Sequence, residues 1–267
     1  MNPRDGMLTF EGHIEVLRKA LFRAAIVSLI FACVIFLFKD LTFEILLAPG
    51  EWDFCTYKWI EWCCRLFKQN FHFEEFYVEL ITTDLSSQFM THVTTSIYLG
   101  LFCASPFILF ELFRFVSPAL LDGERKYSVQ IVIIMYFLFI LGVLMSYFVI
   151  FPVSFRFLGT YSVAEKVHST ITLDSYISSF LSLTLLMGIV FQLPIISFVL
   201  GEMGFVQSSI LIKYRRYAFF VICFVAAIIT PPDVMTLVLV AVPLYLLYEV
   251  SIKVVKKVEK RKSVDMV

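Results

Sequence analysis

The side chains that could do chemistry in this sequence are few and dispersed. His13, His72, His92 and His168 lie in different segments, and no H-E-x-x-H pattern occurs, so metal catalysis has no support. No G-x-S-x-G elbow, no pair of membrane aspartates and no glycine-rich phosphate loop is present. Neither a nucleotide, a metal nor any other cofactor is therefore expected. What stands out instead is a handful of polar residues beside apolar runs. Gln192 sits within Gly188-Ile-Val-Phe-Gln-Leu-Pro194, Glu124 in a loop from Glu111 to Lys126, and Glu15 with Arg18 near the chain start. Polar groups at membrane depth are costly and mark candidate sites. Gln192 reads either as a helix–helix hydrogen bond or as part of a binding site. Glu124 follows the Ser117-Pro118 break and the Asp122-Gly123 turn. It is either a carboxylate favoured by a helix N-terminus or a binding group. Glu15 and Arg18, three residues apart, read as a surface ion pair.

The elements that must hold these groups are hydrophobic helices. Hydrophobic residues make up 60% of the 267 residues, charged residues only 16%, and the mean hydropathy is +0.86. A soluble domain carries about 25% charged residues. The fold class is therefore an all-α integral membrane protein. Six spans are expected, at about 21–38, 89–110, 128–152, 176–200, 217–230 and 234–250. An N-terminal amphipathic segment (1–20), a polar outer insert (39–87) and a basic tail (251–267) complete the chain. A hydrocarbon core is about 30 Å thick. At about 1.5 Å per residue the last two runs reach roughly 21 and 25 Å, so helices five and six are expected to be short. Pro231-Pro232-Asp233 makes them a hairpin. A curved, open bundle is expected.

Lys and Arg place both termini in the cytoplasm. With the N-terminus inside, only Lys39, Lys58, Arg65, Lys68, Arg156 and Lys166 of the 22 basic residues fall outside. The run from Lys253 to Lys262 is either a lipid- or partner-binding patch or a stop signal with a solvated end. Net charge is zero, and no nucleic-acid partner is expected. Six cysteines are present without a C-x-x-C spacing. Cys33, Cys103 and Cys223 lie in apolar runs as small hydrophobes. Cys55, Cys63 and Cys64 share the outer loop, where a disulfide from Cys55 to Cys63 or Cys64 would persist.

Together these residues resemble TatC, the polytopic subunit of twin-arginine protein translocases. His13-Ile-Glu-Val-Leu17-Arg18-Lys19 is similar to the family's N-terminal H-L-x-E-L-R segment, and Phe115-Val-Ser-Pro118-Ala-Leu120 with Glu124-Arg125 to its F-(V/I)-x-P-(G/A)-L…E-R loop. Gly142 through Tyr147 to Phe151-Pro152 resembles its third span, and Gly188 to Pro194 its G-x-x-F-(E/Q)-x-P. Thr230-Pro231-Pro232-Asp233, Ala241-Val-Pro243 and Leu247-Tyr248-Glu249 resemble its last hairpin. Ala48-Pro49 and Thr83-Asp84 match shorter elements. Three positions depart from the pattern. The family's N-terminal glutamate falls on Val16, with Glu15 one place earlier; Gln192 stands where many members have Glu; and Leu237 replaces a polar residue. The outer insert with its three cysteines and Trp52, Trp59 and Trp62 has no counterpart.

The resemblance implies a receptor that recognises the paired arginines of export signals at its cytoplasmic face. With single-span TatA and TatB subunits, in an oligomeric complex among membrane lipids, it would move folded proteins across the cell inner membrane using the proton motive force. Two guanidiniums call for acidic receptors, since each bonds a carboxylate through two parallel donors. Glu124 is the first candidate and Glu15 or Glu11 the second, with Arg18, Phe115, Pro118 and Leu120 shaping the site. Pro49, Tyr147, Gln192, Pro231, Pro232 and Asp233 match further family positions in place or type. The alternative, a secondary transporter of small solutes, would be expected to show an internal repeat and facing buried charges, and neither is seen.

Overall fold

The computed structural model describes residues 10–66, 76–116, 128–161, 170–230 and 233–265. Their elements are almost all helical. Helix α1 (Phe10–Leu37) is followed by α2 (Lys39–Leu47), a 3-10 turn (Ala48–Gly50), α3 (Cys55–Leu66) and α4 (Ser87–Val116). Helix α5 (Ser128–Met145) continues through a π turn (Ser146–Ile150) into α6 (Phe151–Thr160). Then come α7 (Leu173–Val190), α8 (Leu193–Glu202), α9 (Ser208–Lys213), α10 (Arg215–Ile229) and α11 (Val234–Asp265). Two short strands, β1 (Leu80–Ile81) and β2 (Ile171–Thr172), pair in parallel and join the two loops at one end of the bundle.

Among the described residues, five helical stretches are long and apolar enough to cross a membrane: Ile14–Leu37, Ser87–Phe115, Val129–Thr160, Leu173–Glu202 and Val234–Lys262. Their outward faces carry exposed Phe22, Leu29, Ile133 and Phe137, and α10 adds Phe220 and Phe224. Such apolar flanks require lipid around them, and helices satisfy the backbone there internally. At 15 residues, α10 spans only about 22 Å, as the short fifth run led one to expect. Helix α1 lies at one edge of the bundle, packed chiefly on α4, and α10 lies at the other, packed chiefly on α11. The arrangement is an open bundle, with its main core around Ile150, Phe151, Tyr176, Leu181, Met187, Val240 and Leu244.

Close helix approach depends on two glycines. A Cβ on Gly100 of α4 would lie 2.7 Å from the Ala32 nitrogen and the Ser28 oxygen of α1. On Gly142 of α5 it would lie 2.6 Å from the Met187 oxygen of α7. Small residues at such crossings let backbones pack without a side chain between them.

The structure corrects three expectations. Helix six is not short: α11 runs 32 residues, and positions 251–265 continue it instead of forming a separate tail. Nothing after Val250 breaks a helix, and buried Ile252, Val255 and Val258 hold the extension against α8. The N-terminal segment likewise merges into the first span from Phe10 onward. The disulfide does not form: Cys55 is a free thiol, and a continuous helix through positions 55, 63 and 64 separates them by about 12 Å or more. Bridged cysteines need Cα atoms within about 7 Å.

Prolines decide the remaining breaks. Pro194 cannot donate, and the helix interrupts at Phe191 and Gln192 before α8 begins. Pro152 has no N–H for the Phe148 carbonyl four residues earlier, and the Thr56 hydroxyl of α3 donates to that carbonyl. Tyr57, beside it, donates to the Pro152 carbonyl at 2.9 Å. Arg156 lies over the rings of Tyr57 and Phe76. Burial pushes the Tyr57 phenol up, and the Arg156 charge offsets this only in part. The insert between α1 and α4 is thus anchored where the α5–α6 stretch loses a backbone donor.

Candidate functional site

The charged residues at the loop end come from α1 and α4, which run antiparallel. Glu15 is exposed and pairs at 2.8 Å with Lys19, one turn on, instead of with Arg18. Glu placed N-terminal to Lys at this spacing is the favoured helix pair. Arg18 and its apolar neighbours Ile14, Leu17, Leu21 and Phe22 line a shallow open hollow. Two turns further along, Arg23 donates to Glu111 of α4 at 2.7 Å. The Glu111 side chain is almost fully buried, whereas about half of Arg23 meets solvent. Phe115, one turn beyond Glu111, is half-buried. The Arg23–Glu111 bond therefore ties α1, two turns along from Glu15, to α4 one turn before Phe115. Glu124, Pro118 and Leu120 belong to segment 117–127 and lie outside the described residues. The sequence did signal Glu111: a lone carboxylate inside Phe107-Ile-Leu-Phe-Glu-Leu-Phe113 needs a cation, and Arg23 sits equally alone in the first run.

At mid-depth the Gln192 amide is buried. Its Nε2 donates at 3.1 Å to the Met135 carbonyl of α5 and at 3.4 Å to Gly188. Of the two readings the sequence left open, the structure displays the helix–helix bond. The Oε1 atom has no hydrogen-bond partner among the described residues.

The opposite end is built from tyrosines and caps. The last carbonyls of α2 have no partner within the helix. Tyr147 donates to the Ile45 carbonyl at 2.8 Å, and Tyr176 to that of Leu46 at 3.0 Å. Pro49 is buried in the turn that follows. Sequence reasoning found Tyr147 but passed over Tyr176, the buried partner in the same task. Asp233 caps α11 by accepting the Thr236 N–H at 2.7 Å. Pro231 and Pro232 lie outside the described residues, and the side chains of Cys63 and Cys64 are likewise not described. The structure thus gathers Glu15, Arg18 and Phe115 at one end, Pro49, Tyr147 and Asp233 at the other, and leaves Gln192 between them.

Among the described residues no group of three His, Cys, Asp or Glu side chains is placed to hold a metal. Lipid-facing helices with charged groups gathered at one end define a polytopic membrane protein. Residues 12–243 match the family model of the Sec-independent protein translocase protein (TatC). The chain is 34% identical to the TatC protein of Blattabacterium sp. subsp. Periplaneta americana (strain BPLAN), covering 98% of this chain and 100% of that one. It is also 34% identical to TatC of Aquifex aeolicus (strain VF5), covering 94% and 96%. A crystal structure of the twin-arginine translocase receptor TatC superposes with a TM-score of 0.73 at 32% identity, covering 92% of this chain and 99% of that one.

The chain belongs to the TatC family. It is a multi-pass component of the Sec-independent, twin-arginine translocase in the cytoplasmic membrane, and it is not an enzyme. The solute-transporter alternative is not favoured.

Proposed function

We propose that this chain is the receptor for paired-arginine export signals and the membrane core on which folded cargo crosses. Both termini are cytoplasmic and six helices cross the bilayer, with α10 as the short fifth. Single-span TatA and TatB subunits and further copies of the chain complete the complex, and the proton motive force drives transport. The observation that supports the reading is the Arg23–Glu111 tie, which joins the helix bearing exposed Glu15 to the helix that precedes Glu124 in the chain. Two carboxylates on neighbouring elements suit two consecutive guanidiniums, each taken through two parallel bonds. Lys19 offers little resistance to an incoming arginine, because an ion pair exposed to solvent on both sides contributes little.

A photoreactive residue at position 124 tests the reading. It is expected to label a twin-arginine signal peptide and to lose most labelling when Arg-Arg becomes Lys-Lys. Labelling that ignores that change would remove Glu124 from the site.

A further inference from the structure

A groove of about 770 Å³ opens between α5 and α11, with α8 as its floor. Its walls change character along their length. Ile134 and Leu138 of α5, Phe198 of α8 and Val254 of α11 line the apolar part, and Lys257 and Lys260 stand one turn apart at its end. From Val250 to Lys260 the α11 wall rises about 15 Å. The groove therefore passes from hydrocarbon depth to the level of lipid headgroups. The field at that end is positive: between Val250 and Lys262 the only acid is Glu259, and it accepts from the Ser208 backbone N–H. Buried Glu202, at the end of α8, is engaged by Arg261 and Lys262.

We propose that this groove binds one anionic phospholipid of the adjacent leaflet. An acyl chain lies along Ile134, Leu138, Phe198 and Val254, and the phosphate sits between Lys257 and Lys260. An apolar trough with cations at one end matches an amphiphile, and basic pockets between membrane helices suit anionic headgroups. A soluble anion would gain nothing from the apolar walls. The volume is in the range of small-ligand pockets, about 300–1,000 Å³, and takes one acyl chain with its phosphate while the second chain stays in the bilayer. The lysine stems lie along the apolar wall while their ammonium groups reach the phosphate.

The test is native mass spectrometry of the full chain in detergent, titrated with phosphatidylglycerol and with phosphatidylcholine of the same acyl chains. Phosphatidylglycerol is expected to bind at least tenfold more tightly. The double variant K257Q/K260Q is expected to lose about tenfold in phosphatidylglycerol affinity while phosphatidylcholine is unchanged, and I134W, which fills the trough, to weaken both. Equal binding of the two lipids by the unaltered chain would overturn the proposal, and that comparison decides even if a variant fails to fold. Unchanged phosphatidylglycerol affinity in K257Q/K260Q would also overturn it. So would displacement of phosphatidylglycerol by inorganic phosphate at matched concentration, which would assign the lysines to a soluble anion.

Discussion

Arg23 and Glu111 form a pair in which the two partners stand in unequal surroundings, so replacing them has unequal effects. Arg23→Ala strands a buried carboxylate without its cation. Glu111→Gln leaves a neutral amide that still bonds the guanidinium, whose outer half is hydrated. The first variant is expected to lose about 1–3 kcal/mol of stability and the second under about 1, read as melting in detergent. If the site depends on the register of α1 against α4, export of a twin-arginine reporter falls further in Arg23→Ala than in Glu111→Gln. Equal loss in the two would detach the pair from the site. Gln192 poses a simpler case. Gln192→Leu removes the bond to the Met135 carbonyl and is expected to cost about 0.6–2 kcal/mol, the scale of interhelical bonds in membranes.

Among the elements, α11 shows best what the sequence revealed and what it hid. Apolar runs long enough to span a bilayer were legible because a lipid-facing helix must be apolar on nearly every side, so composition alone reports it. The extension past Val250 was not, because only one stripe of it is apolar. Ile252, Val255 and Val258 are buried against α8 while the lysines between them face outward, and hydropathy averaged over that stretch reads as a polar tail. The three- and six-residue spacing of those apolar positions was the available signal. Val255→Asp is expected to loosen the extension and to speed tryptic cleavage at Lys256 and Lys257 severalfold, since Val255 is fully buried beside Gly201. The Arg23–Glu111 bond and the tyrosine caps on α2 were hidden for another reason: their partners lie far apart in sequence, and several are backbone carbonyls, which carry no residue-type signature. Pro152 and Pro194 could be read as helix breaks. What fills the vacated carbonyl at Phe148 could not. Gly100→Ala forces α1 away from α4 at a backbone contact of 2.7 Å and is expected to destabilise more than Gln192→Leu in the same melting assay.

At the scale of the molecule, the proposed topology makes Cys55 and the two ends of the chain report on opposite faces. A membrane-impermeant maleimide added to intact spheroplasts is expected to label Cys55, which is exposed in the outer insert. A cysteine introduced at position 263 is expected to react only after the membrane is opened. Labelling of both from outside would require an odd number of crossings, and would remove α10 from the membrane. The molecule's open form follows from its edges, where α1 and α10 each lean chiefly on one neighbour and leave their other flanks to lipid.

The unbroken course of α11 gives the molecule a lever. Its 32 residues amount to a rod of about 48 Å with Asp233 capping one end and the Arg261–Glu202 contact near the other. A rod transmits tilt instead of absorbing it. Pivoting by about 5° at Pro243, near its first third, would carry the far end roughly 3 Å sideways. A displacement at the hairpin on one face of the membrane would thus be felt as movement of the lysine-rich end on the other, with no intervening residue changing conformation.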